Sequence, residues 1–109
     1  MIALALYGAM ALVYTWPVPR HLRGTIANEA GDNLGGVNTL WWVWHEVSRG
    51  NIPWRIDLYG FPSSSVVFHP SPLMEALSVP ITWAFGAVVS FNLLLVISFT
   101  LTGYTAFLL

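Results

Sequence analysis

The sequence predicts an all-α membrane chain, with about three membrane helices and a long loop that carries a surface helix of its own. Charge placement is the first observation behind this. Eight of the nine charged residues lie between Arg20 and Asp57, Glu75 is the outlier, and residues 76–109 carry no charge at all. A charge at mid-bilayer costs about 2.5–3.5 kcal/mol even on the lenient insertion scale, so membrane chains confine charges to their loops. Composition is the second. Hydrophobic residues make up 56% and charged residues 8%, against about 25% charged in globular domains. The third is aromatic content: six Trp, six Phe and four Tyr suit the headgroup level, where an apolar ring with a polar edge is best solvated.

The elements follow in order. Residues 2–16 form the first apolar run, ended by Pro17 and Pro19. At 1.5 Å per residue they span about 22 Å of a hydrocarbon core about 30 Å thick. A secretory signal peptide would want a basic start and a small-residue cleavage site, and neither stands out. Residues 17–72 form a loop far longer than the 12–15 residues beyond which a connection is usually functional or structured. Within it, Leu34, Asn38, Trp41, Trp42, His45 and Ser48 recur at helical spacing and predict a helix over 34–48. Asp32 or Asn33 would cap its start and Gly50-Asn51 would end it. Three Trp in four residues place that helix at the membrane surface. Residues 53–72 are rich in Pro and Ser and read as extended loop. The second apolar block is too long for one crossing. Ser90 and Asn92 interrupt it, which predicts helices over 73–89 and 91–109. The apolar end at Phe107-Leu108-Leu109 marks the chain as an N-terminal fragment of a larger polytopic domain.

Several chemistries are excluded. A net charge of −1 with no basic stripe leaves nothing to neutralise nucleic-acid phosphates. The absence of cysteine removes disulfides, thiolate metal sites and a cysteine nucleophile. Ser63-Ser64-Ser65 lacks the nucleophile-elbow context, and Gly35-Gly36 lacks a phosphate-loop lysine. His21, His45 and His69 sit 24 apart, unlike the close-set pairs of zinc sites.

The strongest candidates for chemistry are Glu29 and Asp32, in the stretch Asn28-Glu-Ala-Gly-Asp-Asn33. A carboxylate there could take a proton from a hydroxyl acceptor or hold a divalent cation against a phosphate. Asp is equally a strong helix cap, and the two roles are compatible. His45, Trp41 and Trp42 could face either a substrate or the lipid headgroups, since indole rings serve as interfacial anchors and as stacking platforms. Arg55 and the other arginines could pair with lipid phosphate or with the loop's own acids.

An ordered set of short motifs adds a resemblance. Tyr14-Thr15-Trp16-Pro17 closes the first helix, and Gly31-Asp32-Asn33-Leu34 leads into Asn38-Thr39-Leu40-Trp41-Trp42 and Trp44-His45. Then come Asp57-Leu58-Tyr59-Gly60-Phe61-Pro62, His69-Pro70-Ser71-Pro72-Leu73 and Phe91-Asn92-Leu93-Leu94. Across nearly its whole length the chain resembles the N-terminal segment of the integral-membrane glycosyltransferases of the C type, the GT-C fold. The resemblance implies a bacterial plasma-membrane protein of the cell envelope with the 17–72 loop extracytoplasmic. It also implies a polyprenyl-phosphate-linked sugar as donor, and an acid in the first loop as catalytic base or metal contact. Asp32 falls at that place, with Glu29 as a second carboxylate; His45, Trp41, Trp42, His69 and Arg55 form the substrate-facing set. Membrane lipid and the lipid-linked donor are the implied partners, and a divalent cation is the one cofactor the acids could take. The four arginines of the loop pull the other way, toward the cytoplasm, under a rule that weakens near 60 residues. The competing classes are a transporter or channel segment, which would want ionisable groups within its helices, and a noncatalytic assembly subunit, which would want small-residue faces.

Overall fold

The computed structural model describes residues 1–26, 30–53, 55–56, 65–66 and 71–109, with backbone alone at 30, 55–56 and 65–66. Within these residues the fold is helical: α1 (Ile2–Tyr14), a short 3₁₀ turn (Val18–Arg20), α2 (Ala30–Ser48), α3 (Pro72–Phe85) and α4 (Ala87–Leu108). A two-residue antiparallel pairing, β1 (Arg55–Ile56) with β2 (Ser65–Val66), sets Arg55 opposite Val66.

Helix α4 is 22 residues long, about 33 Å, and carries no charge. It is the one helix among the described residues that is long and apolar enough to cross a membrane. The expected first crossing at 2–16 is 13 helical residues, and the expected second at 73–89 is α3, with 14 residues or about 21 Å. Among the described residues one helix, rather than three, has crossing length. The break between α3 and α4 also falls at Gly86 rather than at Ser90 or Asn92. Gly86 has φ 90° and ψ 163°, a backbone region essentially closed to residues with a Cβ. Pro80 is accommodated inside α3.

Helix α1 runs antiparallel to α4. Tyr7 meets Phe107 and Tyr14 packs edge-on to Phe99, with ring centroids 6.4 Å and 5.2 Å apart. The helices approach closely because Gly103 lies under the Tyr7 ring: a Cβ there would meet Tyr7 Cδ1 at 2.5 Å and Cγ at 3.0 Å. Turning the ring about its own axis does not move Cγ, so relief needs a change of the tyrosine rotamer or of the helix spacing, and overpacking of this kind costs about 1–3 kcal/mol. A Gly8→Cys/Thr100→Cys pair should form a disulfide, because a Cβ at Gly8 lies 3.8 Å from Thr100 Cγ2 and the chain has no competing thiol. Adding Gly103→Leu should slow that cross-link at least tenfold; an unchanged rate would show that the glycine does not set the helix spacing.

Helix α2 packs against both α3 and α4. Its buried residues Leu40, Trp42 and Val43 fill the junction, and Val89 and Leu94 complete it from α4. Beside them lies a set of buried polar groups: Glu75, Ser78 and Thr82 on α3, and Ser90 and Asn92 on α4. Ser90 donates to the Ser78 carbonyl at 3.3 Å and locks the α3–α4 hairpin. Asn92 Nδ2 donates to the carbonyls of Leu22 and Thr25, at 2.9 and 2.7 Å, and so pins the α1–α2 connection onto α4.

Candidate functional site

Helix α2 begins at Ala30, four residues before the expected start, so Asp32 lies inside the first helical turn and is not the cap. The carboxylate is exposed there, where the helix dipole favours negative charge. Gly36 and Thr39 follow at i+4 and i+7, on the same face of α2. Both line a cavity of about 250 Å³ between α2, α3 and α4, with Ser71, Glu75, Phe91 and Ser98 among its walls. Thr39 and Ser98 hydroxyls donate to carbonyls one turn back in their own helices, at 3.0 and 2.7 Å, which leaves their oxygen lone pairs able to accept. Asp32 stands one turn outside this cavity on the same stripe. On the neighbouring face Asn33 lines a second hollow of about 440 Å³, bounded by Thr15 to Val18 at the end of α1 and by Leu95 and Phe99.

The aromatic part of the expected site is elsewhere. Trp41 and His45 stack, with ring centroids 4.8 Å apart and planes 17° from parallel; the ring of the buried Trp42 lies 5.8 Å from His45. Nine residues of α-helix separate Asp32 from Trp41, about 14 Å along the axis and roughly half a turn in direction. Helix α2 thus presents its acid and its Trp–His stack on opposite faces. One sugar ring cannot touch both while α2 stays straight. Glu29 and His69 lie outside the described residues, and Arg55 is described by its backbone in the β1–β2 pairing.

Sequence reasoning passed over Glu75, Thr39, Ser71 and Ser98 as site residues. Glu75 is buried in the first turn of α3 and borders both the cavity by α4 and an apolar cleft of about 490 Å³ between Val43, Val47, Val79 and Pro80. Its signal was present: it is the one charge outside the 20–57 cluster. Among the described residues no group of three or more His, Asp or Glu side chains is arranged to hold a metal ion. No protein-family model, curated protein or solved structure matches this chain.

Proposed function

We propose that the chain belongs to a membrane-embedded glycosyltransferase that moves a sugar from a polyprenyl-phosphate carrier to an extracytoplasmic hydroxyl, with Asp32 as the base. The observation that carries this reading is the exposed Asp32 carboxylate, one turn outside a largely apolar cavity that carries the Thr39, Ser71 and Ser98 hydroxyls beside α4, a helix long enough to cross a bilayer. The GT-C-like motif order supports it. The carboxylate takes the acceptor's hydroxyl proton as that oxygen bonds to the anomeric carbon. The bond from that carbon to the phosphate oxygen breaks with inversion, and polyprenyl phosphate leaves with the electron pair. Phosphate is already a good leaving group, so no acid need protonate it. Because Trp41 and His45 face away from Asp32, they would hold a more distant part of an extended substrate or sit among headgroups.

The test is transfer of labelled sugar from a polyprenyl-phosphate donor in membranes containing the protein, wild type against Asp32→Asn. Transfer by the wild type and its loss in the variant, at equal membrane insertion, is the expected result. Wild-type membranes that transfer no better than membranes lacking the protein would sink the enzyme reading.

A further inference from the structure

Two of the four arginines stand in the α1–α2 connection, with a histidine between them: Arg20, His21 and Arg23. All three side chains are exposed, and together with Gly24 and Thr25 they line a hollow of about 480 Å³. Among the described residues neither arginine has a carboxylate partner. An exposed arginine by itself means little; here the backbone beneath it is held at nearly every step. Val18 is buried, and Arg20 N and His21 N donate to the carbonyls of Pro17 and Val18 at 3.1 and 2.9 Å. Gly24 N and Thr25 N both donate to the His21 carbonyl at 3.0 Å. Asn92 then ties the Leu22 and Thr25 carbonyls to α4. The order of this turn belongs to folding, and a ligand does not have to supply it.

The donors select the ligand. Each guanidinium offers a fork of paired N–H groups, and the imidazole adds another N–H. A single fork fills the two oxygens of a carboxylate, whereas a phosphate group has oxygens for both forks. The cations are confined to one turn, so the site suits one phosphate rather than a nucleic-acid backbone. Its position adds a second observation. Thr25 also lines the hollow of about 440 Å³ that holds Asn33, the residue after Asp32. Tyr14 and Trp16 border that hollow with exposed rings, apolar faces on which a sugar can stack. The cationic turn and the aromatic hollow are thus neighbours across one residue.

Resting on the transferase reading above, we infer that Arg20, His21 and Arg23 bind the phosphate of the lipid-linked donor, with its sugar in the hollow beside Asn33. When the bond from the anomeric carbon to the phosphate oxygen breaks, its electron pair stays on that oxygen. The phosphate gains a negative charge, and the two guanidinium groups neutralise it in place. The leaving group can therefore depart unprotonated.

Limited trypsin digestion of the full chain in detergent micelles reads this site without turnover. Farnesyl phosphate, at several times its Kd, should slow cleavage at Arg20 and Arg23 by about fivefold or more. Cleavage at Arg49 should not change, and farnesol should protect none of the three. Equal protection by phosphatidylglycerol, or by inorganic phosphate, would assign the turn to a lipid headgroup or to free phosphate and overturn the donor. Cleavage unchanged by every one of these phosphates would overturn the site itself. Binding of radiolabelled farnesyl phosphate gives a second measurement. The Arg20→Gln/Arg23→Gln double variant should weaken it by about tenfold or more, as the loss of hydrogen bonds to a charged group implies, and Arg49→Gln should not. Wild-type affinity in the double variant would also overturn the site. A protein that binds farnesyl phosphate through these arginines yet transfers no sugar would keep the phosphate site and remove the transferase reading.

Discussion

Replacing Asn92 with Asp should release the α1–α2 connection from α4. Asn92 is fully buried, and its amide nitrogen gives both of its hydrogens to loop carbonyls 67 and 70 residues earlier in sequence. An aspartate of the same shape offers no donor and turns acceptor oxygens toward two carbonyl oxygens. Leaving a buried acceptor unsatisfied costs about 1–3 kcal/mol, so losing both bonds should destabilise the packed state by about 2–5 kcal/mol. Arg20 precedes the pinned segment, Arg23 lies within it, and both are exposed, which provides a local readout. Trypsin should cut at these arginines at least tenfold faster in Asn92→Asp, with a smaller change at Arg49 beyond α2. Asn92→Leu keeps α4 apolar and should show the same local release with full insertion. Cleavage at the wild-type rate in both variants would mean that the two hydrogen bonds do not hold the loop.

Asn92 also shows why the helix boundary was misplaced from sequence. In a run of apolar residues, Ser90 and Asn92 look like the polar signature of a turn. Their polarity is spent on tertiary bonds, to Ser78 and to the loop, and the helix passes straight through them. The actual break depends on a dihedral angle that Gly86 can adopt, and composition weighs a single glycine lightly. The helical character of α1, α2 and α4 was legible, because apolar runs and 3.6-residue spacing are local properties. The length of α3 was not, since Pro72 and Gly86 bound it through local backbone geometry. The early start of α2 was hidden in the same way: Asp32 is equally at home as a cap and in a first turn. At the site, the acid was legible as a residue type in a plausible place. Its separation from the Trp–His stack follows from helix phase, which becomes readable once the start of α2 is known. The cavity was illegible, because Thr39, Ser71, Glu75 and Ser98 come from separate parts of the chain and meet only through packing.

Conversion of Asp32 to Asn should lower sugar transfer by about 10²–10⁴-fold, the usual range for a positioned general base. The change is nearly isosteric and the side chain is exposed, so folding should be little affected; the first turn of α2 loses only its favourable dipole interaction, about 0.3–1 kcal/mol. A structural role and a catalytic role therefore separate cleanly. If Asp32 takes the acceptor's proton, kcat should fall while the KM for the lipid-linked donor stays within about threefold, because the lost interaction belongs to the transition state. Asp32→Glu keeps the carboxylate but moves it by about one methylene, and should retain more activity than Asn without reaching wild type, since small misplacements of a reacting group cost rate steeply. Glu75→Gln is the informative companion. Glu75 lies in the wall of the adjoining cavity and is buried, so that substitution should act through packing and unfolding temperature as well as rate. If Glu75→Gln abolished transfer with stability intact while Asp32→Asn transferred normally, the base would be the buried acid, and Asp32 would be left with the helix dipole alone.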